Sequence, residues 1–240
     1  MPTKREQLRE QKAQAKKAQN TQIGIVVGVL VVAVAAFWAF GPKQKSAPIE
    51  PVATEAVAAT VPPAAEAPQV TSKQYAAAPE MTIDVSKQYF ANVKMANGGE
   101  FVIQLYPDKA PITVNSFVFL ARDGYFNGVT FHRVLDGFMA QGGDPAGTGM
   151  GGPGYEFVNE DSDLIFDKPG MVAMANAGRD TNGSQFFITF DAADFLNGGY
   201  TIFGQVVEGM DVVNAITRRD PEQFPDFPGD AMESVTITEE

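Results

Sequence analysis

Five short β-type runs in the second half of the chain set the strongest limit on its fold. They read VTFHRV, GMVAMA, SQFFITF, YTIFGQVV and SVTITE, and clusters of Gly, Asn and Asp separate them. Short strands interrupted in this way, with few helices between them, are typical of antiparallel barrels. No repeat of fixed period accompanies them, which argues against solenoids and propellers. The pattern predicts a mainly β fold, closed as an antiparallel barrel.

Two further strands and two helices complete the predicted fold. The runs YFANVKM and EFVIQLY flank Asn97-Gly98, which suits the positive φ angles of a tight hairpin. After them Pro111 suits a first helical turn, and the helix should end near Gly124. The apolar side chains of this helix recur on one face, at Val114, Phe117, Val118 and Ala121. A second, shorter helix is predicted at MDVVNAI.

The first 80 residues differ in composition from the rest and divide into three parts. Residues 1–22 form a basic tail with almost nothing apolar. Residues 23–40 are uncharged, and at about 1.5 Å per residue this run is just long enough to cross a bilayer as one transmembrane helix. Residues 41–80 are rich in Pro and Ala without apolar periodicity, which is typical of a disordered linker. A single globular domain is therefore expected at residues 81–240.

The uncharged run, from Ile23 to Phe40, is interpreted as a retained membrane anchor. A cleaved signal peptide is the alternative, but the basic region is long and the run exceeds a usual signal core. More basic residues precede the run than follow it, since only Lys43 and Lys45 come shortly after. This asymmetry places the N-terminus in the cytoplasm and the globular domain outside. A bacterial envelope is the expected location.

The composition of the domain excludes several classes of function. Residues 81–240 hold 9 basic and 23 acidic side chains, a formal charge of −14, which argues against nucleic acid and anionic lipid as partners. The chain contains no cysteine, so disulfides, thiolate metal sites and cysteine nucleophiles are absent. The acidic run between Glu156 and Asp167 lacks the EF-hand spacing and is interpreted as a solvated face. We expect neither a metal nor a cofactor.

Two motifs resemble known signatures but lack their context. GTGMGGPG matches G-x-G-x-x-G through Gly147, Gly149 and Gly152, yet a proline and an acidic stretch follow instead of a helix. We interpret it as a surface loop. Ser184 lies in NGSQF, which does not form the G-x-S-x-G of a hydrolase.

The stretch FHRVLDGFMAQGGD contains the one histidine of the chain, His132, next to Arg133. A lone histidine in a strand is more often structural than a general base. Arg133 cannot be deprotonated and offers a planar fork of donors beside apolar neighbours. Such a site suits a neutral, partly apolar ligand that needs one strong hydrogen bond. On residue pattern alone, however, packing in the barrel core is favoured for Phe138, Met139 and Phe187.

FHRVLDGFMAQGGD and MANAGRDTNGSQFFITF, residues 174–190, together resemble the paired signature of the cyclophilins, the cyclosporin-class peptidyl-prolyl isomerases. The resemblance runs from about Tyr89 to Ile237 and includes GGDPAGTGMGGPG and FLNGGYTIFGQVVEGMDVV. It covers none of the tail, span or linker. It implies an eight-stranded antiparallel barrel closed by two helices. It also implies cis-trans isomerisation of X-Pro bonds in proline-containing polypeptides, without metal or cofactor.

The resemblance further implies the roles of individual residues. Arg133 matches the catalytic arginine of the family, and His132, before it, is expected near the site. The proline pocket falls on Phe138, Met139, Phe187 and Leu196. The polar groove falls on Gln141, Asn176 and Gln185, with Ala175 and Ala177 lining the peptide. Two positions depart from many eukaryotic members, with Phe195 in place of tryptophan and Tyr200 in place of histidine, which implies weak cyclosporin binding.

Two alternatives to an isomerase of exported proteins remain open. The barrel could be a binding module that holds proline-containing segments without turnover, because a fold alone does not define an activity. Alternatively, the anchor and linker could carry the main role, with the barrel as a spacer. The complete set of Arg133, Phe138, Gln141, Asn176 and Phe187 favours the enzyme, since a pure binder needs no transition-state donor.

Overall fold

The computed structural model describes residues 73–223 and 225–240. The predicted tail, membrane span and most of the linker, residues 1–72, lie outside the described residues. Within the described ranges, no helix combines the length and the apolar character that crossing a membrane requires.

Eight strands and two α-helices make up the described domain. The strands are β1 Tyr89–Met95, β2 Glu100–Leu105, β3 Arg133–Leu135, β4 Met139–Gly142, β5 Met171–Met174, β6 Phe186–Thr189, β7 Ile202–Glu208 and β8 Met232–Glu239. The helices are α1 Pro111–Arg122 and α2 Met210–Ala215, with short 3-10 turns at Asp194–Leu196 and Pro221–Gln223. Both helices lie where the sequence predicts them.

All eight strands belong to one antiparallel sheet, in the order β3-β4-β6-β5-β7-β2-β1-β8. The prediction of a mainly β fold with eight antiparallel strands and two helices is confirmed. The predicted closure is not observed in the described domain: the sheet forms a half-barrel, because its outer strands β3 and β8 do not pair along their length. The chain before β3 meets the start of β8 instead, where the Phe131 amide donates to the Asp230 carbonyl at 2.9 Å.

The short β3 explains why the ladder is not continuous. Its outer edge is already paired with Arg219, since the Val134 amide donates to the Arg219 carbonyl at 2.7 Å and the reverse bond measures 2.9 Å. A strand of three residues offers no further backbone groups for β8.

The β1–β2 turn is a three-residue loop. The Gly98 amide donates to the Met95 carbonyl at 2.9 Å, and the Met95 amide donates to the Gly99 carbonyl at 2.8 Å. Gly98 has a φ of 87°, whereas Asn97 does not have a positive φ and accepts the Gly99 amide on its side chain at 3.0 Å. The hairpin is confirmed, but the expected positive φ at Asn97 is wrong because a third loop residue allows an ordinary turn followed by one left-handed glycine.

The main hydrophobic core lies on one face of the sheet beneath α1. The predicted helix face, Val114, Phe117, Val118 and Ala121, is buried there. Phe117 stacks on Phe126 with ring centres 5.0 Å apart and meets Phe186 edge-on at 5.6 Å. Helix α1 therefore covers the core through aromatic contacts.

A second, smaller apolar cluster is separate from this core. In β6, Phe186 and Ile188 belong to the main core, whereas Phe187 between them belongs to the second cluster. The same alternation places Ala140 of β4 in the core and Met139 outside it. Since successive strand side chains point to opposite faces, the second cluster lies on the outer face of the sheet. Met139 and Phe187 are thus buried, as residue pattern alone favours, but in the outer cluster and not in the main core of the barrel.

Residues 73–80, which the sequence assigns to the linker, contact the domain. The Tyr75 amide donates to the Pro153 carbonyl at 2.8 Å, and the Tyr75 ring meets Phe119 edge-on at 5.1 Å. Further along, the Asn115 side chain donates to the Glu80 carbonyl at 2.9 Å. The packed part of the chain thus begins before residue 81.

Candidate active site

The strand register brings four distant parts of the chain into one row. Arg133 on β3 pairs with Gln141 on β4, Gln141 pairs with Phe187 on β6, and Phe187 pairs with Ala173 on β5. Directly paired residues project from the same side of a sheet. Arg133, Gln141 and Phe187 therefore share the outer face, where the second apolar cluster lies.

A pocket of about 170 Å³ opens at this row. Its lining consists of Arg133, Phe138, Met139, Gln141, Ala175, Asn176, Phe187, Leu196 and Tyr200. In its floor, Phe187 stacks on Phe166 at 5.8 Å and meets Tyr200 edge-on at 5.4 Å. Apolar walls with a few polar groups on one side are typical of a site for a small, mainly apolar group.

Arg133 is partly exposed at the edge of this pocket. Among the described residues, no carboxylate forms a salt bridge with its guanidinium, so the donors stay available to a ligand. Both of its chain neighbours are held by Arg219, whose guanidinium donates to the His132 carbonyl and whose backbone pairs with Val134. Arg219 thus fixes the backbone that carries Arg133. The sequence did not identify Arg219 as a supporting residue, because no motif links it to the distant Arg133.

A larger groove of about 830 Å³ adjoins the pocket. Gln141, Ala175 and Asn176 line both the pocket and the groove. Ala177 and Gln185 line the groove but not the pocket. The remaining walls come from the glycine-rich loop, from residues near Thr181, and from Gln74 in the linker. An extended peptide could therefore occupy both compartments along one line.

Side-chain amides hold the boundary between pocket and groove in place. The Gln141 amide donates to the Gln185 side chain at 2.9 Å, which in turn donates to the carbonyls of Gly149 at 3.0 Å and Gly151 at 2.9 Å. Asn176 donates to the buried Asn182 side chain at 3.4 Å. This network fixes which hydrogen-bonding groups face a bound chain.

Asp144 organises the glycine-rich loop from inside. Its fully buried carboxylate accepts the amides of Ala146 at 2.8 Å, Gly149 at 2.7 Å and Gly151 at 3.1 Å. Burial alone would raise the pKa of Asp144, but these donors outweigh it and hold the pKa below its usual value. The loop is therefore built around a carboxylate, and it is not followed by a helix that could bind a pyrophosphate.

His132 lies beneath the glycine-rich loop and lines neither compartment. It is 2% exposed, and among the described residues neither ring nitrogen has a hydrogen-bond partner. The ring lies against Gly149, where an added Cβ would be 3.6 Å from Nε2. Burial lowers the pKa of His132, the Arg219 and Arg133 charges lower it further, and Asp144 opposes them. Although His132 precedes Arg133 directly in the sequence, its side chain lies on the opposite side of the strand.

Phe195 lies at the rim of the pocket and not in its lining. Its side chain is 76% exposed, and its ring centre is 5.5 Å from that of Phe138. Ser184, by contrast, is buried and donates to the Gly143 carbonyl at 2.7 Å. Its hydroxyl is occupied in holding the loop, which agrees with the absence of a hydrolase motif.

One residue of the acidic run, Glu160, caps helix α1, which its sequence did not predict. Glu160 accepts the Ile112 amide at 2.9 Å and both the amide and hydroxyl of Thr113, at 2.8 and 2.7 Å. These amides begin helix α1, so the carboxylate caps that helix from a distant loop. The interpretation of the run as a solvated face is wrong for Glu160.

Fold and groove together define a half-barrel with a surface groove that runs into a small apolar pocket beside an arginine. Comparison with known families agrees, because the sequence profile of the cyclophilin type peptidyl-prolyl cis-trans isomerase/CLD family matches residues 90–239. The chain belongs to this family, and its activity is peptidyl-prolyl cis-trans isomerisation.

Relatives from distant organisms share this domain. The chain is 46% identical over 162 residues to the probable peptidyl-prolyl cis-trans isomerase A of Mycobacterium bovis, which covers 59% of this chain and 88% of the relative. It is 51% identical over 122 residues to the human peptidyl-prolyl cis-trans isomerase-like 1, covering 49% of this chain and 74% of the relative. A mouse protein that combines an isomerase domain with WD repeats is 46% identical over 144 residues, which is 58% of this chain but only 22% of that protein.

A solved structure confirms the fold. The cyclophilin type isomerase of Cryptosporidium parvum, determined in the presence of the dipeptide Ala-Pro, superposes with a TM-score of 0.57 at 30% identity. The match covers 62% of this chain and 98% of that chain.

Proposed function

We propose that this enzyme binds the proline ring of its substrate in the 170 Å³ pocket and uses Arg133 as the donor that stabilises the rotating bond. The observation that carries the proposal is the row of Arg133, Gln141 and Phe187 across three paired strands. This row sets the permanently charged guanidinium of Arg133 beside the apolar floor of the pocket. No nucleophile, metal or cofactor is required for this reaction.

The barrier to be lowered arises from amide resonance and is about 18–20 kcal/mol. In the twisted transition state the prolyl nitrogen becomes pyramidal and regains a lone pair. A guanidinium can donate to this nitrogen, or to the nearby carbonyl, more strongly than to the planar ground state. Arg133 suits this role because its planar fork cannot lose its charge.

The residues around Arg133 would restrict rotation to one bond. Phe138, Met139, Phe187 and Leu196 would hold the ring by burial of apolar surface. Asn176, oriented by Asn182, would hold the residue before proline. Fixing both sides leaves the X-Pro bond as the part that turns.

Exchange NMR of an Ala-Pro peptide tests the proline pocket. We expect the native chain to accelerate cis-trans exchange, and Phe187→Ala to weaken peptide affinity about tenfold or more because the ring loses a buried partner. Val207→Ala, at an exposed apolar position, is the matched control. If the native chain bound the peptide without accelerating exchange, the domain would be a proline-recognition module instead.

The expected weak binding of cyclosporin is part of the same proposal. At the rim of the pocket Phe195 presents a phenyl ring that carries no N–H donor, and Tyr200 replaces a histidine in the lining. We expect Phe195→Trp to tighten cyclosporin binding, as measured by calorimetry. Unchanged affinity would show that this position does not limit binding.

The setting of the enzyme is proposed from the N-terminal sequence. A basic tail followed by the uncharged residues 23–40 is typical of a single-pass anchor with its N-terminus in the cytoplasm. The isomerase would then act outside the cytoplasm, on exported or envelope proteins as they fold. A bacterial envelope fits this arrangement, and the acidic domain fits protein partners better than nucleic acid.

A further inference from the structure

Three residues at the end of the linker, Lys73, Gln74 and Tyr75, contact the domain beside the large groove. We refer to them as the linker end. The Gln74 amide donates to the Gly152 carbonyl at 2.7 Å, and the Tyr75 amide donates to the Pro153 carbonyl at 2.8 Å. The linker end is therefore attached to the same glycine-rich loop that forms one wall of the groove.

Asp123 provides a second point of attachment. Its carboxylate accepts the Tyr75 hydroxyl at 2.6 Å and the Lys73 ammonium at 2.9 Å. The Tyr75 hydroxyl and the Lys73 ammonium hold the pKa of Asp123 below its usual value. The Tyr75 ring also lies against Tyr155, with ring centres 6.3 Å apart. Contacts on both sides of Gln74 thus restrict where its side chain can lie.

Gly154 allows the loop to approach the linker end this closely. It has a φ of +94°, and a Cβ at this position would lie 2.7 Å from the Tyr75 carbonyl oxygen and 2.9 Å from Gln74 Oε1. Any larger residue would push the linker end away from the groove. The loop sequence is thus compatible with the linker end only because residue 154 is glycine.

Gln74 lines the large groove together with Asn176, Ala177 and Gln185. Among the described residues that line it, Glu156 is the one with a charge. With the proline ring in the small pocket, an extended chain advances about 3.3–3.6 Å per residue. Because Asn176 would hold the residue before proline, the segment before proline would pass the shared residues Gln141 and Asn176 and enter the groove.

We propose that Gln74 is a specificity-determining residue, which contacts the substrate two or three positions before proline. The proposal rests on the placement of proline given above. The linker would then complete the substrate groove as well as tether the enzyme. With the carboxylate of Glu156 in the same groove, basic residues at this substrate position are favoured over acidic ones.

The test compares short and long substrates with the full chain. The short substrate is blocked Ala-Pro, which would extend only to the residues shared by pocket and groove and would not reach Gln74. The long substrates are two hexapeptides with Lys or Glu three residues before proline. The variants are Gln74→Ala, Gln74→Lys and Tyr75→Ala, with the exposed Gln88→Ala as the matched control.

We expect Gln74→Lys to shift the ratio of kcat/KM for the two hexapeptides towards the Glu peptide by about two- to fivefold. Tyr75→Ala should reduce discrimination by releasing the linker end, and Gln74→Ala should lower kcat/KM for both hexapeptides. Blocked Ala-Pro should be turned over equally by all variants. Unchanged hexapeptide ratios in Gln74→Lys, with blocked Ala-Pro still accelerated, would overturn the proposal. No acceleration of blocked Ala-Pro by the native chain would instead contradict the proposed proline site.

Discussion

At the scale of single residues, the geometry separates His132 from Arg133 although they are adjacent in sequence. Arg133 faces the pocket, while His132 is buried against Asp144 and the glycine-rich loop. Its burial is the main reason that the pKa of His132 lies below the ordinary 6.5. We therefore assign it no part in proton transfer, and isomerisation requires none.

This burial predicts a dependence of stability on pH. Because the folded-state pKa of His132 lies below the unfolded one, the unfolded chain binds the proton first as pH falls. Stability should be fully present above about pH 6.5 and should decline as pH falls below it. The charged groups nearest the ring are Asp144, which opposes the shift, and Arg219 and Arg133, which add to it.

Urea unfolding of residues 73–240 at pH 7.5 and 5.5 measures this effect. No other side chain of this chain ordinarily titrates in that window, because the chain has one histidine and no cysteine. The difference between the two pH values should vanish in His132→Gln. An equal difference in the native and altered proteins would show that another group is responsible.

At the scale of elements, local pattern predicted the pieces that are amphipathic and missed those that depend on partners. Helix α1 was found because its apolar face repeats at helical spacing. Strand β4, Met139–Gly142, has no apolar alternation, and it is a strand because β3 and β6 pair with its two edges. The helix cap at Glu160 was missed for the same reason, since it comes from 47 residues away.

The cap predicts a measurable loss of stability. Glu160→Ala should lower the free energy of unfolding by about 1–2 kcal/mol, because the first-turn amides of α1 lose their acceptor. Glu160→Gln keeps an acceptor oxygen without the charge, so its free energy of unfolding should lie between those of the native protein and Glu160→Ala. Urea unfolding gives the energies, and amide exchange at Ile112 and Thr113 locates the effect. Equal exchange rates in all three proteins would contradict the capping role.

In the whole molecule, the sequence predicts the site best where its two signature blocks come together in the fold. FHRVLDGFMAQGGD and residues 174–190 supply most of the pocket lining, whereas much of the groove lining comes from the glycine-rich loop between them. The supporting residues Arg219 and Gln74 lie outside both blocks, and only folding brings them to the site. Composition likewise separated linker from domain, but the contacts of the linker end depend on Asp123 and Gly154, which composition does not identify.

The proposed anchor predicts how the chain partitions. The full chain should sediment with membranes and resist alkaline carbonate, whereas residues 73–240 should stay in the supernatant and keep isomerase activity on blocked Ala-Pro. Val31→Arg, a charge in the middle of the uncharged run, should weaken membrane retention because it costs about 2.5–3.5 kcal/mol there. Val31→Leu is the control. Loss of activity in residues 73–240 would show that the N-terminal segments do more than anchor.

In the proposed mechanism, Arg133 stabilises the transition state more than the bound substrate. One NMR titration of an Ala-Pro peptide gives both the bound-state exchange rate and Kd for the native domain, Arg133→Ala and Arg133→Lys. We predict that Arg133→Ala slows exchange at least about a hundredfold while Kd changes less than about threefold, with Arg133→Lys between them. A loss of rate matched by an equal loss of affinity would contradict this role, because Arg133 would then serve only to bind the peptide.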